Sequence, residues 1–168
     1  VRTARDAGSP SRIVESVVAV NDARKIAMAD RVIAAAGGDV AGKTVGVLGV
    51  TFKPNTDDMR DAPSLDILPR LIAAGATIRA YDPEGMKAAA ALIPGVTWVS
   101  SAYETMTGAD VLVLITEWNE FRALDLGRMK AAMKVPVIVD LRNVYRPDEM
   151  AEAGFSYHSI GRAPVQPH

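Results

Sequence analysis

The central part of the sequence reads Val111-Leu112-Val113-Leu114-Ile115, an uninterrupted run of apolar residues, most of which favour β-structure. A strand that is apolar on both sides is typical of a parallel sheet whose two faces are both covered by helices. Five more β-rich runs flank it on either side along the chain: Lys43–Val50, Thr77–Tyr81, Val96–Val99, Val135–Val139 and Phe155–Ser159. The sequence therefore predicts six strands.

Helix-like stretches separate these strands. They are Pro63–Ala74, Pro83–Leu92, a short one near Tyr103–Met106, Leu126–Met133 and Pro147–Ala153. Regular alternation of strand and helix predicts βαβ units, a parallel sheet and helices on both of its faces. With right-handed crossovers, the commonest arrangement of six such strands is the doubly wound, Rossmann-like order 3-2-1-4-5-6.

One long helix is predicted ahead of the sheet, from Ser11 to Ala36, because no proline or glycine interrupts it before Gly37. Its apolar residues occupy more than one face, which favours burial on two sides, against the following domain and against another domain or subunit. An ordinary core helix is the alternative. The predicted organisation is thus a long helix within 1–40, a domain over 41–160 and a flexible polar tail over 161–168.

Charge and composition exclude several classes of function. The chain has 19 Lys+Arg against 20 Asp+Glu, a net charge of -1, so neither nucleic acid nor a membrane surface is an expected partner. Cysteine is absent, and the two histidines have no second ligand at metal-binding spacing, so no metal site is predicted. The absence of a long apolar run and of a signal-peptide hydrophobic region predicts a soluble, cytoplasmic protein.

The segment after the first strand is the first candidate binding site, because a doubly wound sheet binds ligands beyond the carboxyl ends of its strands. This segment, from Gly49 to Arg60, is too long and polar to be a simple turn. Its cations Lys53 and Arg60, together with the helix start that follows, predict a phosphate ligand. The stretch Gly46-Val47-Leu48-Gly49 lacks the middle glycine of a dinucleotide-binding fingerprint and is not a P-loop.

Two other predicted strands deliver polar residues to the same edge. The fourth ends in Thr116-Glu117-Trp118-Asn119 and the fifth in Asp140-Leu141-Arg142-Asn143. Arg142 can hold a phosphate in a forked contact, or it can form a salt bridge with Asp140 or Glu117. Trp118 is predicted to pack in the core. Asp82, at the end of the second strand, could bind a ribose or cap the next helix, and capping is the favoured interpretation.

Several of these motifs together resemble one known family. The stretch from Gly46 to Ser64 resembles the signature that opens the C-terminal domain of the UDP-glucose/GDP-mannose dehydrogenase family. Val20–Lys25 is similar to the sequence on the family's long central helix. Two internal motifs of the family are similar to Tyr81-Asp82-Pro83 and Thr116-Glu117-Trp118, and its late D-G-R-N element is similar to Asp140-Leu141-Arg142-Asn143. The Thr-Glu-Trp run and the Phe-Lys pair look most like the UDP-glucose branch of the family.

The resemblance implies a domain that holds the nucleotide part of a UDP-sugar, and a homodimer formed through the long helix. By matching motif, Phe52 and Lys53 would contact the UDP-sugar, Arg142 would bind its UDP end, and Arg60 would reach the pyrophosphate of NAD. Enzymes of this branch oxidise the C6 alcohol of UDP-glucose twice with two NAD, through a thiohemiacetal and a thioester on a cysteine, and release UDP-glucuronate. A thiolate suits that chemistry as a nucleophile.

The chain departs from the family in having no cysteine. It begins where the family's cysteine motif would just have ended, so we expect the C-terminal part of a dehydrogenase, without the N-terminal NAD-binding half, without a catalytic residue of its own and inactive alone. The alternatives are another nucleotide-sugar dehydrogenase, of the GDP-mannose or UDP-N-acetylmannosamine type, and a non-catalytic nucleotide-binding module. A receiver-type signalling domain is disfavoured, because Lys53 and Arg60 stand where its acidic cluster would be.

Overall fold

A computed structural model describes residues 11–167 and contains a single six-stranded parallel sheet. The strands are β1 (Thr44–Leu48), β2 (Thr77–Tyr81), β3 (Val96–Trp98), β4 (Val111–Leu114), β5 (Val137–Asp140) and β6 (Ser156–Ser159). Their order across the sheet is β3-β2-β1-β4-β5-β6. The predicted doubly wound topology is therefore confirmed.

Seven helices accompany the sheet in this part of the chain. They are α1 (Arg12–Ala35), α2 (Ser64–Ala73), α3 (Met86–Leu92), α4 (Ala102–Met106), α5 (Asn119–Arg122), α6 (Leu126–Ala132) and α7 (Pro147–Glu152). The short helix α5 was not predicted. None of these helices is both long enough and apolar enough to cross a membrane.

The core lies on both faces of the sheet, as the continuous apolar run of β4 predicts. Successive side chains of a strand point to opposite faces. Val111 and Val113 accordingly join the cluster that contains Ala29 and Val32 of α1, whereas Leu112 and its neighbour Leu114 join the cluster on the other face. Every residue of β4 is fully buried.

Most element boundaries differ from the prediction by a few residues, and two of these differences have a clear local reason. Helix α3 begins at Met86 and not at Pro83, because the Asp82 carboxylate binds two backbone N–H groups of the intervening turn. Strand β5 begins at Val137 and not at Val135, since Pro136 has no N–H to give to a neighbouring strand.

Helix α1 packs on the domain through its carboxyl-terminal half only. Ala29 and Val32 are fully buried, and Arg31 donates to the backbone oxygen of Ser159 at 2.6 Å. In the other half, Ile13 is 81% exposed and Val17 is 53% exposed. The domain therefore covers one end of the helix, and a second partner for the other end stays a prediction.

The predicted tail returns to the sheet. Val165 forms an antiparallel bridge with Tyr157 of β6, with both backbone hydrogen bonds made, so the tail is attached to the sheet edge at this point. The beginning of the predicted helical segment, residues 1–10, and the last tail residue, His168, lie outside the described residues.

Candidate functional site

A cavity of about 620 Å³ lies between α1 and the carboxyl ends of β1, β4 and β5. Its wall includes two of the residues singled out in the sequence, Phe52 and Arg142. Lys53 and Arg60 are on the same loop as Phe52 but outside the wall of the cavity. The site thus falls at the edge where a doubly wound sheet binds its ligands.

The loop after β1 is folded back on itself. The Phe52 N–H donates to the Asp58 carbonyl oxygen at 3.0 Å, and the Asp58 N–H donates to the Thr56 hydroxyl at 3.1 Å. Asn55 has a φ of 62°, a value that asparagine tolerates better than most residues. At the start of this loop, the Phe52 side chain is 48% exposed and Lys53 is also exposed, so both are available to a ligand.

Arg60 forms an ion pair with Asp58 on the outer side of this loop. Its Nε and Nη2 atoms lie 2.9 and 2.8 Å from the two carboxylate oxygens. The hydrogen bonds from Arg60 lower the pKa of Asp58 from 3.8 to about 2. Because the Arg60 side chain is 89% exposed, its guanidinium remains accessible from solvent.

Arg142 forms a second two-pronged ion pair, with Glu117. Its Nε and Nη2 atoms lie 2.5 and 2.7 Å from the two Glu117 oxygens. This hydrogen bonding raises the pKa of Arg142 and lowers that of Glu117. The salt bridge with Glu117 that the sequence analysis considered is therefore present. Because Arg142 also borders the cavity, this salt bridge is compatible with a role in phosphate binding.

The loop that carries Arg142 is held by Asp140, which is fully buried at the end of β5. Its carboxylate accepts hydrogen bonds from the backbone N–H groups of Arg142 and Val144, at 2.9 and 2.7 Å, and from the hydroxyl of Tyr157 at 2.7 Å. Burial and the nearby Asp140 charge raise the pKa of Tyr157. Asp140 is thus a structural acid and not the salt-bridge partner of the Arg142 side chain.

Asp82 is also fully buried, which removes it as a direct ribose ligand. Capping was the favoured prediction, and its carboxylate does bind the N–H groups of Glu84 and Gly85 ahead of α3. The sequence did not reveal its further bonds to the loop after β1. Trp118, predicted to pack in the core, is 7% exposed, which confirms that placement.

Helix α1 supplies a polar wall that the sequence analysis did not assign to the site. Asn21, Asp22, Arg24 and Lys25 all line the cavity. Lys25 also pairs with Asp66 of α2, with 3.2 Å between its Nζ and the carboxylate. The one sequence feature that could have pointed to these residues is the resemblance of Val20–Lys25 to part of the family's central helix. That resemblance does not show that these side chains face the carboxyl edge of the sheet.

No group of three or more potential metal ligands occurs among residues 11–167. His158 lies 3.2 Å from the Ser156 hydroxyl, and burial lowers its pKa. The charged groups of the cavity suit an anionic ligand better than a cation, because its wall has three cations, Arg24, Lys25 and Arg142, and two acids, Asp22 and Asp61.

Residues 46–147 match the UDP binding domain of the UDP-glucose/GDP-mannose dehydrogenase family. The UDP-glucose 6-dehydrogenase of Rhizobium meliloti strain 1021 is 58% identical over 162 residues, which are 96% of this chain and 37% of that protein. UDP-glucose 6-dehydrogenase TuaD of Bacillus subtilis strain 168 is 38% identical over 167 residues, covering 99% of this chain and 36% of that protein.

The solved structure of a UDP-glucose dehydrogenase from Pyrobaculum islandicum has the same fold, with a TM-score of 0.75 and 28% identity over 96% of this chain and 35% of that one. The chain thus spans little more than a third of the length of these relatives. The family match covers more than half of the chain and includes the carboxyl end of β1 and all of β4 and β5, the strands that frame the cavity. The chain belongs to the UDP-glucose/GDP-mannose dehydrogenase family and contains its UDP binding domain.

Proposed function

We propose that the chain is the C-terminal part of an NAD-dependent UDP-glucose 6-dehydrogenase and supplies the binding site for the UDP-sugar. The observation that carries this proposal is the position of Phe52 and Arg142 on one cavity of about 620 Å³ within a family UDP binding domain. The similarity of the chain to UDP-glucose 6-dehydrogenases over 96% of its length supports UDP-glucose as the substrate.

The diphosphate of the ligand is assigned to the cationic side of the site. Arg142 presents a planar fork of N–H donors, which suits phosphate oxygens, and its pairing with Glu117 keeps the side chain oriented before the ligand arrives. Lys53 adds a second positive charge from the neighbouring loop. Phe52 offers an exposed apolar ring against which the sugar or the base can pack.

The end of β1 does not fit the pyrophosphate of NAD. A Cβ on Gly49 would lie 2.6 Å from the Thr116 Cβ, so the space beside this glycine is already filled by Thr116, which lies two residues after β4. Arg60 is the one cation for which a contact with NAD is proposed, and its 89% exposed side chain can reach an anion held by another domain. When bound, NAD accepts hydride. We place most of its binding site outside this chain.

The remaining proposals concern the larger enzyme. This chain has no cysteine, so the covalent chemistry of the family would need a residue from outside it, and the chain alone is expected to be inactive. The exposed apolar residues of α1 support a homodimer formed through that helix. A cytoplasmic location is proposed, in keeping with a nucleotide-sugar substrate and a nicotinamide cofactor.

Calorimetric titration of the chain with UDP, UDP-glucose, GDP-mannose and NAD tests the proposal. UDP and UDP-glucose are expected to bind, and GDP-mannose and NAD much more weakly. Lys53→Ala and Arg142→Ala should each weaken UDP binding about tenfold or more, because each removes a charged contact to phosphate.

Arg146→Ala is the matched control, since Arg146 also forms a two-pronged ion pair, with Asp148, but lies neither in the wall of the cavity nor on the loop after β1. Its affinity for UDP should equal that of the unmodified chain. Equal binding of UDP and GDP-mannose, or full affinity in both the Lys53 and Arg142 variants, would refute the proposed site.

A further inference from the structure

The carboxylate of Asp82 joins three loops at the carboxyl edge of the sheet. It is 0% exposed, and its Oδ2 atom accepts hydrogen bonds from the N–H groups of Val50 and Thr51, at 2.7 and 3.2 Å. The same oxygen accepts from the indole N–H of Trp118 at 3.2 Å. One oxygen atom therefore links the end of β2 to the loop after β1 and to the residues after β4.

The second oxygen, Oδ1, is bound on the opposite side. It accepts from the N–H groups of Glu84 and Gly85, at 3.1 and 2.7 Å. Gly85 also allows close packing, because a Cβ there would lie 2.3 Å from the Thr51 methyl group. Both oxygens of Asp82 thus face donors only, and the turn that they organise is pressed against the loop after β1.

Thr51 transmits this arrangement to the candidate ligand contacts. Its hydroxyl lies 3.2 Å from Asp82 Oδ2 and 3.1 Å from the carbonyl oxygen of Lys53. Its own carbonyl oxygen accepts from the Thr116 hydroxyl at 2.7 Å. Phe52 and Lys53 follow directly, so they are exposed side chains on a backbone that is fixed from two neighbouring strands.

We propose that Asp82 is a positioning residue for the UDP-sugar site, acting through Thr51 to hold Phe52 and Lys53 in place. This inference rests on the proposed function. An amide cannot replace the carboxylate here, because either orientation of an asparagine would turn its NH₂ group toward N–H donors. Loss of these bonds would release the loop without removing any group that touches the ligand.

The first test is Asp82→Asn, measured by calorimetric titration of the chain with UDP. The expected result is a loss of affinity of about tenfold or more. Asp110→Asn is the matched control. Asp110 is also a nearly buried acid that accepts a backbone bond, from Thr44 at 2.9 Å, and pairs with Lys134, but it lies at the opposite edge of the sheet. It should lower the unfolding temperature and leave UDP affinity unchanged.

A double-mutant cycle separates positioning from general destabilisation. If Asp82 acts through the loop that carries Lys53, adding Lys53→Ala to Asp82→Asn should cost less than twofold further affinity. The cycle with Arg142→Ala should instead be additive, since Asp140 holds that residue separately.

Two results would overturn the proposal while leaving the UDP site intact. One is wild-type UDP affinity in Asp82→Asn, and the other is a double variant whose fold loss of affinity equals the product of the losses in Asp82→Asn and Lys53→Ala. Failure of the unmodified chain to bind UDP would instead refute the proposed function, and this inference with it. If Asp82→Asn does not fold, Thr51→Val keeps the side-chain shape and removes only the hydroxyl. It is expected to weaken UDP binding about threefold or more, and unchanged affinity would overturn the proposal.

Discussion

Two arginines of the candidate site, Arg60 and Arg142, are each held by a carboxylate in a two-pronged contact. Arg142 and Glu117 follow two neighbouring strands, β5 and β4, whereas Arg60 and Asp58 belong to the same loop. A long side chain loses conformational freedom when it binds a ligand, and an existing partner removes part of that cost. The acids Asp58 and Glu117 therefore belong to the description of the site as much as the cations do.

The ionisation of Asp58 gives a direct test of the Arg60 pair. Hydrogen bonding to Arg60 lowers the Asp58 pKa to about 2, so the stabilisation from this pair is present above the ordinary value of 3.8 and is lost as the pH falls through about 2. Carboxyl NMR chemical shifts followed against pH should show this low midpoint. In Arg60→Gln the midpoint should rise toward 3.8, and an unchanged midpoint would contradict the pairing.

Gly49 gives a test of the close approach between the ends of β1 and β4. Its φ is 80°, and a Cβ would lie 2.6 to 2.9 Å from three Thr116 atoms. Gly49→Ala should lower the free energy of unfolding by about 3 kcal/mol, from the sum of backbone strain and overpacking. Urea denaturation measures the change.

Gly38→Ala is the control for that experiment, because Gly38 has a similar φ of 89° with nothing within 4 Å of the added Cβ. It should show the strain alone, about 1 to 2 kcal/mol. Equal losses in the two variants would mean that Thr116 does not press on Gly49.

At the scale of single residues, the sequence could single out candidate cations and one partner, Glu117 for Arg142, but not the network of Asp82. Lys53, Arg60 and Arg142 were selected because their charges follow strand ends. The bonds of Asp82 to Val50 could not be read from the sequence, since these residues are 32 positions apart and meet only in the folded sheet.

Helix α1 has two unlike halves, and this difference can be measured. Val32 is fully buried and Val17 is 53% exposed. Val32→Ala should lower the free energy of unfolding by about 2 kcal/mol, through lost burial and a cavity. At a concentration where the chain is monomeric, Val17→Ala should change it by less than about 0.5 kcal/mol. Urea denaturation of both variants is the measurement, and a comparable loss in Val17→Ala would show that the domain covers both halves.

At the scale of elements, strand and helix alternation was predictable because the central strands β1, β4 and β5 consist mainly of buried apolar residues. The unpredicted helix α5 is one turn long, and it starts at Asn119, which the sequence pattern assigns to the end of the fourth strand. Short elements of this kind are set by packing, here by the full burial of Phe121, more than by their own sequence pattern.

For the whole molecule, the proposed homodimer predicts concentration-dependent association. Sedimentation equilibrium should show a dimer for the unmodified chain, because pairing would cover Ile13 and Val17. Val17→Asp should shift the equilibrium to monomer. Leu92→Asp is the control, since Leu92 is 55% exposed on a different helix, and it should leave the dimer intact. A monomer at all concentrations would contradict the proposed interface.

The position of β1 at the centre of the sheet has a consequence for synthesis on the ribosome. One side of β1 pairs with β2, but the other side waits for β4, which begins more than sixty residues after β1. During translation the nascent chain therefore carries an open, apolar strand edge until Val111–Leu114 has left the exit tunnel. Unpaired edges of this kind recruit other chains. A chaperone that covers this edge during the interval is expected to raise the yield of folded protein.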